Sequence, residues 1–330
     1  MILKILTKKD IQNAVTMAEA IHAVKLAYIQ LSQEKTVTPL RVQVPVEDRE
    51  GVVLFMPAFL PQIGSLGAKI VSVFPQNLQS GLSTIHAVVV LLDAETGCPI
   101  SLLDGTYLTA LRTGAASGVA TDLLARRDSR VAAIFGAGVQ GRTQLEAVCT
   151  VRAITKVWIY DPSPDVAKAY ANKMKQRGDP IPQDISVAQT PKQALEEADI
   201  ICTATTSSEP VFADEDLCPG VHINGIGSYT PKMQEIPGQT VARARVVVDS
   251  ISASLAEAGD LIIPLQNKTM EESDIHGEIG QVAAGYIPGR ESDSEVTFFK
   301  SVGLAVQDIA TAALALQRAE ELNLGRNIDL

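Results

Sequence analysis

Two constellations of residues in this chain could do chemistry. The first is a set of three cations in unlikely surroundings. Arg41 lies within the alternating run VTPLRVQVPVE (37–47), Lys69 within the apolar run LGAKIVSVF (66–74), and Arg112 within the small-residue-rich stretch DGTYLTALRTGAASGVATDLL (104–124). Buried cations need partners, so Arg41 and Lys69 either point to solvent from one strand face or meet an anion. Small residues let a ligand come close, and a guanidinium among them suggests an anion contact for Arg112. The second constellation is Gly136, Gly138 and Gly141, spaced G-x-G-x-x-G. In a strand-to-helix turn the first glycine allows the tight turn and the second lets the backbone approach a pyrophosphate. The third lets helix and strand pack closely. Asp161 closes the apolar run that follows, where an acid accepts hydrogen bonds from ribose hydroxyls.

The surrounding elements supply the context that the glycines need. An apolar, β-branched run over 131–135 reads as a buried strand, 142–151 as the helix after the glycine turn, and 157–160 as the next strand. A helix over 164–177, a short strand over 185–188 and a short helix over 191–198 follow, then apolar strands over 199–206, 221–227 and 245–249. This alternation predicts a doubly wound α/β sheet, whose ligands bind beyond the carboxyl ends of the strands. That rule nominates Thr203, Thr205, Asn224, Gly225 and Gly227. Ahead of this unit, strand-like runs at 2–6, 37–47, 52–56 (closed by Pro57), 66–74, 84–93 and 100–103 have turn-like connections, which imply a separate, mixed or antiparallel sheet. The polar breaker at 126–129 is the expected junction. Residues 264–295 read as irregular with a strand-like patch near Gln281, and 300–322 as a long helix that returns to the first domain.

Composition narrows the function classes. With 330 residues, 46% hydrophobic and 20% charged, the chain is long enough for two domains. A net charge of −10 argues against nucleic acid or an anionic membrane as partner. The N-terminal residues turn polar too soon for a signal sequence, and no run approaches a membrane span, so a cytoplasmic location is expected. Cys98, Cys149, Cys202 and Cys218 show neither disulfide nor metal spacing, and Cys149 and Cys202 read as buried thiols. The four histidines show no ligand spacing; His86 and His222 fall in strands and read as core residues. No metal is expected.

The stretches LFMPAF (54–59), GAKIVSVFP (67–75), LLDAETGCPISLLDGTYLTALRTGAASGVA (91–120), GAGVQGRTQLEA (136–147), HINGIGSYTPKMQEI (222–236) and FKSVGLAVQD (299–308) span nearly the whole chain in order. In these the chain resembles the ornithine cyclodeaminase/μ-crystallin family. The resemblance implies a homodimer with a central Rossmann domain (126–299). A substrate-binding and dimerisation α+β domain is then built from both chain ends (1–125 and 300–330). It implies an amino or imino acid substrate whose carboxylate is held by Arg41, Lys69 and Arg112. The positions matching the family's cofactor contacts are Thr84, Arg112, Val139, Gln140, Asp161, Thr203, Asn224, Lys232 and Ser301, and Val302 matches a substrate contact. Met56, Tyr229 and Val302 would shape the pocket.

The chain departs from the cyclodeaminases at Ser228, where those enzymes carry an aspartate. Cyclodeamination needs an acid/base group beside the reacting amine, and a serine hydroxyl does not ionise near neutral pH. The resemblance therefore points to the relatives that only add or remove hydride. The expected reaction is NAD(P)H-dependent reduction of Δ1-pyrroline-2-carboxylate or Δ1-piperideine-2-carboxylate to proline or pipecolate. Lys69 is the expected proton donor and Ser228 a hydrogen-bonding partner. An alanine dehydrogenase, a cyclodeaminase-type lyase and a μ-crystallin-like binding protein are the alternatives. Asp161 would repel the 2′-phosphate of NADP, and Pro162-Ser163-Pro164-Asp165 brings no cation to offset it. NAD(H) is favoured, with NADP(H) open.

Overall fold

The computed structural model describes residues 2–329. Along the chain the strands are β1 (Ile2–Leu6), β2 (Val42–Val46), β3 (Gly51–Leu60), β4 (Ser65–Val73), β5 (Ile85–Asp93), β6 (Pro99–Asp104), β7 (Val131–Phe135), β8 (Lys156–Tyr160), β9 (Ile185–Val187), β10 (Ile200–Thr203), β11 (His222–Gly225), β12 (Arg245–Val248), β13 (Ile275–Glu278), β14 (Thr297–Lys300) and β15 (Arg326–Asp329). They form two sheets in two compact units, Met1–Arg112 with Leu304–Leu330, and Thr113–Gly303. The boundary falls inside the helix Gly105–Leu124, at 112/113, rather than at the polar breaker near 126. The chain returns at 304 rather than 300.

The first unit holds a seven-stranded sheet in the order β15-β1-β6-β5-β4-β3-β2. Only the β1–β6 pair is parallel; the remainder are antiparallel neighbours. One face is covered. Met56, Ala58 and Leu60 of β3, Val71 of β4, Val89 and Leu91 of β5 and Leu103 of β6 are buried. They lie beneath helices α1 (Lys8–Ala14) and α2 (Met17–Ser32) and the helix Ala305–Glu321, which packs on β3, β4 and β5 and against α2. Thr7 and Thr16 start α1 and α2 with capping boxes closed by Asp10 and Glu19. The opposite face is open and apolar. Val42, Phe55, Ile70 and Val88 stand opposite one another across four neighbouring strands, and all four are exposed.

Three sequence expectations fail in this unit. The half-buried strand over 37–47 is instead the short edge strand β2, largely exposed, with Arg41 just before its first residue. Strand β3 does not close at Pro57 but runs through it to Leu60. Phe59 exchanges backbone hydrogen bonds with Val37 on the outer side, so by the two-residue period Pro57 also turns its nitrogen outward, at a level that β2, which begins opposite Phe55, does not reach. Residues 300–322 do not form one helix: 297–300 complete β14, a turn follows, and the helix is Ala305–Glu321.

The second unit is an all-parallel, eight-stranded sheet in the order β13-β12-β14-β11-β10-β7-β8-β9. From β7 the chain steps outward to β8 and β9, then returns to β10 on the other side of β7. The carboxyl ends of β7 and β10 therefore flank the topological switch point, where open sheets bind ligands. Helix α4 (Val139–Val151) packs on β7 and β10, and the helix Pro164–Lys175 packs on β8 and β9. Ala132, Ile134, Leu145, Val148, Val157, Ile159, Tyr170, Met174, Ile200 and Cys202 make the core between them. The strand-like patch near Gln281 is instead a short helix, Ile279–Ala283, just after β13.

Candidate active site

In the Thr113–Gly303 unit the glycine motif builds the end of β7 as its spacing requires. Gly136 has φ +96°, and a Cβ on it would sit 2.6 Å from the Ala204 carbonyl oxygen at the end of β10. A Cβ on Gly141 would sit 2.2 Å from the Gly136 carbonyl oxygen, so only glycine lets α4 start this close to the turn. Gly138 caps α4 in an extended conformation, and nothing lies within 4 Å of where its Cβ would be. Val139 and Gln140 form the first turn of α4, whose N–H groups favour an anion. Beside the turn opens a cleft of about 700 Å³ lined by Gly136, Gly138, Asp161, Thr205 and Glu209 among others. Asp161 is fixed at its rim: Oδ2 accepts from Ala137 N at 3.0 Å and Oδ1 from Ser163 N at 2.9 Å. Among the described residues lining the cleft are two acids, Asp161 and Glu209, and no lysine or arginine. These features fit a dinucleotide with a free ribose and give a 2′-phosphate no cation to meet.

Behind the cleft lies a buried ionic cluster whose charged members were not singled out in the sequence. Glu235 Oε2 accepts from Thr203 Oγ1 at 2.8 Å and from Gly227 N at 2.7 Å, and Oε1 accepts from Thr205 N at 2.6 Å. One carboxylate thus ties the ends of β10 and β11 together. Burial and the nearby Asp260 push the Glu235 carboxyl above its usual range, against the pull of Lys300. Asp260 accepts from the backbone N–H groups of Glu235 and Ile236 and pairs with Lys300 at 3.1 Å, with both charged side chains fully buried. Asn224 donates to Thr121 Oγ1 at 3.0 Å and meets the His222 ring at 3.3 Å. His222 is a neutral core residue, its pKa pushed down to about 3 chiefly by burial and then by Arg290.

These bonds revise several sequence assignments. Thr203 and Asn224 are fully buried and their side chains bond within the protein, where they support the strand ends. Gly225 and Gly227 are buried in the same strand-end segment. Ser228 is likewise spent: its hydroxyl donates to Met233 O at 2.7 Å and accepts from Asp260 N at 3.0 Å, in a fully buried position. It pins the 228–233 loop to the helix Gly259–Gln266 and keeps no proton for a substrate, which corrects its reading as a catalytic partner. Lys232, on the same loop, is exposed. Ser301 and Val302 lie in the turn after β14. There Asp249 Oδ2 accepts from Ser301 Oγ, Val302 N and Gly303 N at 2.8, 2.9 and 2.8 Å.

The other unit gathers the cations. Lys69, at the centre of β4, stands opposite Met56 on the covered face and is 2% exposed. Its Nζ lies 2.7 Å from Asp308 Oδ2, and Arg112 Nε lies 2.9 Å from Asp308 Oδ1. Arg112 Nη1 donates to Gln307 Oε1 at 3.0 Å, and Gln307 Nε2 donates to Tyr28 OH at 2.6 Å. Burial lowers the Lys69 pKa to about 8; Asp308 pulls it up, while the charges of Arg112 and then Arg41 push it down. Asp308 thus pairs with two cations, and the charge of a third, Arg41, is felt at Lys69. Thr84 lies just before β5, its carbonyl accepting from Phe74 N. Gln307, Asp308, Glu235 and Asp260 were the residues missed. Gln307 and Asp308 lie in the family stretch FKSVGLAVQD and Glu235 in HINGIGSYTPKMQEI, but nothing in either stretch singled them out.

Comparison with known proteins places these features. The model of the ornithine cyclodeaminase/mu-crystallin family matches residues 3–323. A Δ1-pyrroline-2-carboxylate reductase from Bacillus cereus is 42% identical over 326 residues, covering 98% of this chain and 99% of the relative. The structure of Thermococcus litoralis Δ1-pyrroline-2-carboxylate reductase in complex with NADH and L-proline superposes with a TM-score of 0.95 at 41% identity, over 99% of this chain and 100% of that one. An archaeal alanine dehydrogenase dimer with bound NAD superposes at 0.93, with 36% identity over the full length of both chains.

Proposed function

We propose that this chain, which belongs to the ornithine cyclodeaminase/mu-crystallin family, reduces Δ1-pyrroline-2-carboxylate to L-proline with NADH. The observation that carries the chemistry is the buried Lys69, paired with Asp308, whose other oxygen pairs with Arg112, and with a pKa near 8. Such an ammonium is a good acid near neutral pH, because the pKa of an efficient donor lies close to the working pH. Arg41 and Arg112 hold the substrate carboxylate, which orients the imine and restricts its motion. Lys69 protonates the imine nitrogen, which makes its carbon electrophilic. NADH, when bound in the cleft beside Gly138 and Asp161, supplies the hydride. Most of the acceleration comes from positioning and from the fixed positive charge, since the hydride is the cofactor's own chemistry. The acid-only lining of the cleft supports NAD(H) over NADP(H). Loss of the cyclodeaminase aspartate at Ser228, together with the inward bonding of that hydroxyl, supports a reductase over a lyase.

The working protein in this reading is a homodimer in the cytoplasm. The exposed row Val42, Phe55, Ile70 and Val88 supports a second copy as partner, because a sheet face this apolar gains by leaving water. Among the described residues no helix is long and apolar enough to cross a membrane. All four cysteines are unpaired thiols, as suits a reducing compartment.

Nicotinamide absorbance tests the activity. NADH oxidation with Δ1-pyrroline-2-carboxylate alone is the expected result. Turnover confined to pyruvate with ammonium would make the chain an alanine dehydrogenase. Ammonia release from L-ornithine with catalytic NAD would make it a cyclodeaminase, and the Ser228 reasoning would be wrong.

A further inference from the structure

Asp308 was not among the site residues expected from the sequence, yet both its carboxylate oxygens face cations of the site. Oδ2 faces Lys69 Nζ at 2.7 Å and Oδ1 faces Arg112 Nε at 2.9 Å, with Asp308 fully buried. Its backbone is anchored as firmly. Asp308 lies in the first turn of the helix Ala305–Glu321, where the helix end favours a negative charge. The neighbouring Gln307 closes that turn by accepting from Leu304 N at 2.6 Å while also accepting from Arg112. Two adjacent residues of one helix thus fix the guanidinium along two of its nitrogens. Lys69 itself comes from β4, with Met56 of β3 and Val89 of β5 as its cross-strand neighbours, neither able to hold a charge.

We propose that Asp308 is the positioning residue of the site, holding Lys69 as a protonated ammonium and turning Arg112 toward the substrate carboxylate. This rests on the reading of Lys69 as the imine's proton donor. The charged groups acting on Lys69 are Asp308, which favours its protonated form, and Arg112 and Arg41, which oppose it. Without the carboxylate, burial and the two guanidinium groups act unopposed. Lys69 then loses its proton at a lower pH, and the Arg112 fork loses one of its two anchors.

The test is Asp308→Asn, which keeps size and removes charge. Removing an opposite charge at this distance lowers a lysine pKa by about 1–3 units. Starting from about 8, a fall of about 2 units takes the protonated fraction at pH 7.5 from about three quarters to about 3%. The expected result is a roughly 25-fold loss of kcat/KM at pH 7.5 that largely recovers by pH 5.5, with NADH affinity unchanged. Asp308→Glu, which keeps the charge and moves it, should lower kcat while leaving the basic limb where it is in the wild type. A loss that is equal at every pH in Asp308→Asn, or a basic limb that does not move, overturns the proposal. Calorimetry of pyrrole-2-carboxylate, a planar anion that cannot be reduced, reads the same linkage without turnover. Its binding should take up protons near pH 8 in the wild type and at lower pH in Asp308→Asn, and identical uptake in both proteins would also overturn it. If the wild type binds this anion with proton uptake but reduces no cyclic imine, the reductase reading fails and the role of Asp308 stands.

Discussion

Gly138 and Gly141 occupy one motif, yet alanine at each should fail in opposite ways. Gly138 has φ −83° and ψ −163°, a conformation open to any residue, and its Cβ would meet nothing within 4 Å. Gly138→Ala should therefore leave stability within about 1 kcal/mol of the parent, and an alanine that fits can even stabilise by restricting the unfolded chain. The empty space is where a pyrophosphate would come against the backbone, so the added methyl should fall on cofactor binding. Losing one backbone hydrogen bond to a charged oxygen costs about 1.5–3 kcal/mol, which is roughly 10- to 150-fold in Kd. Gly141→Ala is the mirror case. Its Cβ would lie 2.2 Å from the Gly136 carbonyl oxygen, a backbone atom that cannot swing aside, so α4 must shift. Overpacking of this kind costs about 1–3 kcal/mol of folding stability. Thermal unfolding without ligand and an NADH fluorescence titration separate the two effects. An unaltered NADH Kd in Gly138→Ala, or an early melt in that variant alone, would refute the assignment of the turn.

Three further outcomes follow from the buried groups and the open sheet face. His222 is held neutral with a folded pKa of about 3 against an ordinary 6.5. A depressed pKa gives stability that is complete above pH 6.5 and is lost as the pH falls toward 3, about 3 kcal/mol between pH 7 and pH 4. His222→Gln, which can keep partners at Thr297 and Asn224, should flatten that acid slope in urea unfolding, and an unchanged slope would move the acid sensitivity elsewhere. Glu235→Gln places an amide NH2 against at least one of the donors Thr205 N, Thr203 Oγ1 and Gly227 N, so it should cost about 1–3 kcal/mol and weaken NADH binding through Thr205. Wild-type NADH affinity in that variant would show that the strand ends hold without it. Ile70→Glu, in the middle of the exposed apolar row, should give a monomer in sedimentation experiments; a dimer of undiminished strength would mean that the partner sits on another face.

What was legible in the sequence was the part written in contiguous residues. The glycine turn, α4 and Asp161 lie within one short stretch, and each constraint there acts on backbone a few positions away. Lys69 was conspicuous because a cation in an apolar strand demands an explanation, and Arg112 because small residues surround it. What answers that demand was not legible. Asp308 comes from the other end of the chain, brought to β4 only when the last helix packs on β3, β4 and β5. Asp260, at the head of the apolar run LIIPL, and Glu235 were not singled out, and nothing showed that both would be fully buried. The strand β14 was lost for a related reason: TFFK is too short to show a period, and it enters the sheet between β11 and β12, out of chain order. Ser228 shows the limit from the other side. Its residue type argued against a carboxylate's chemistry, but only the fold shows its proton committed to Met233 O. The buried ionic groups also share one energetic fact. A buried ion pair is often no more stable than a well-packed apolar replacement, so Lys69 with Asp308, and Lys300 with Asp260, are poor choices for stability alone. For the first pair the proposed function offers a reason: a lysine poised near pH 8 beside a guanidinium, which an apolar pair of the same volume could not provide.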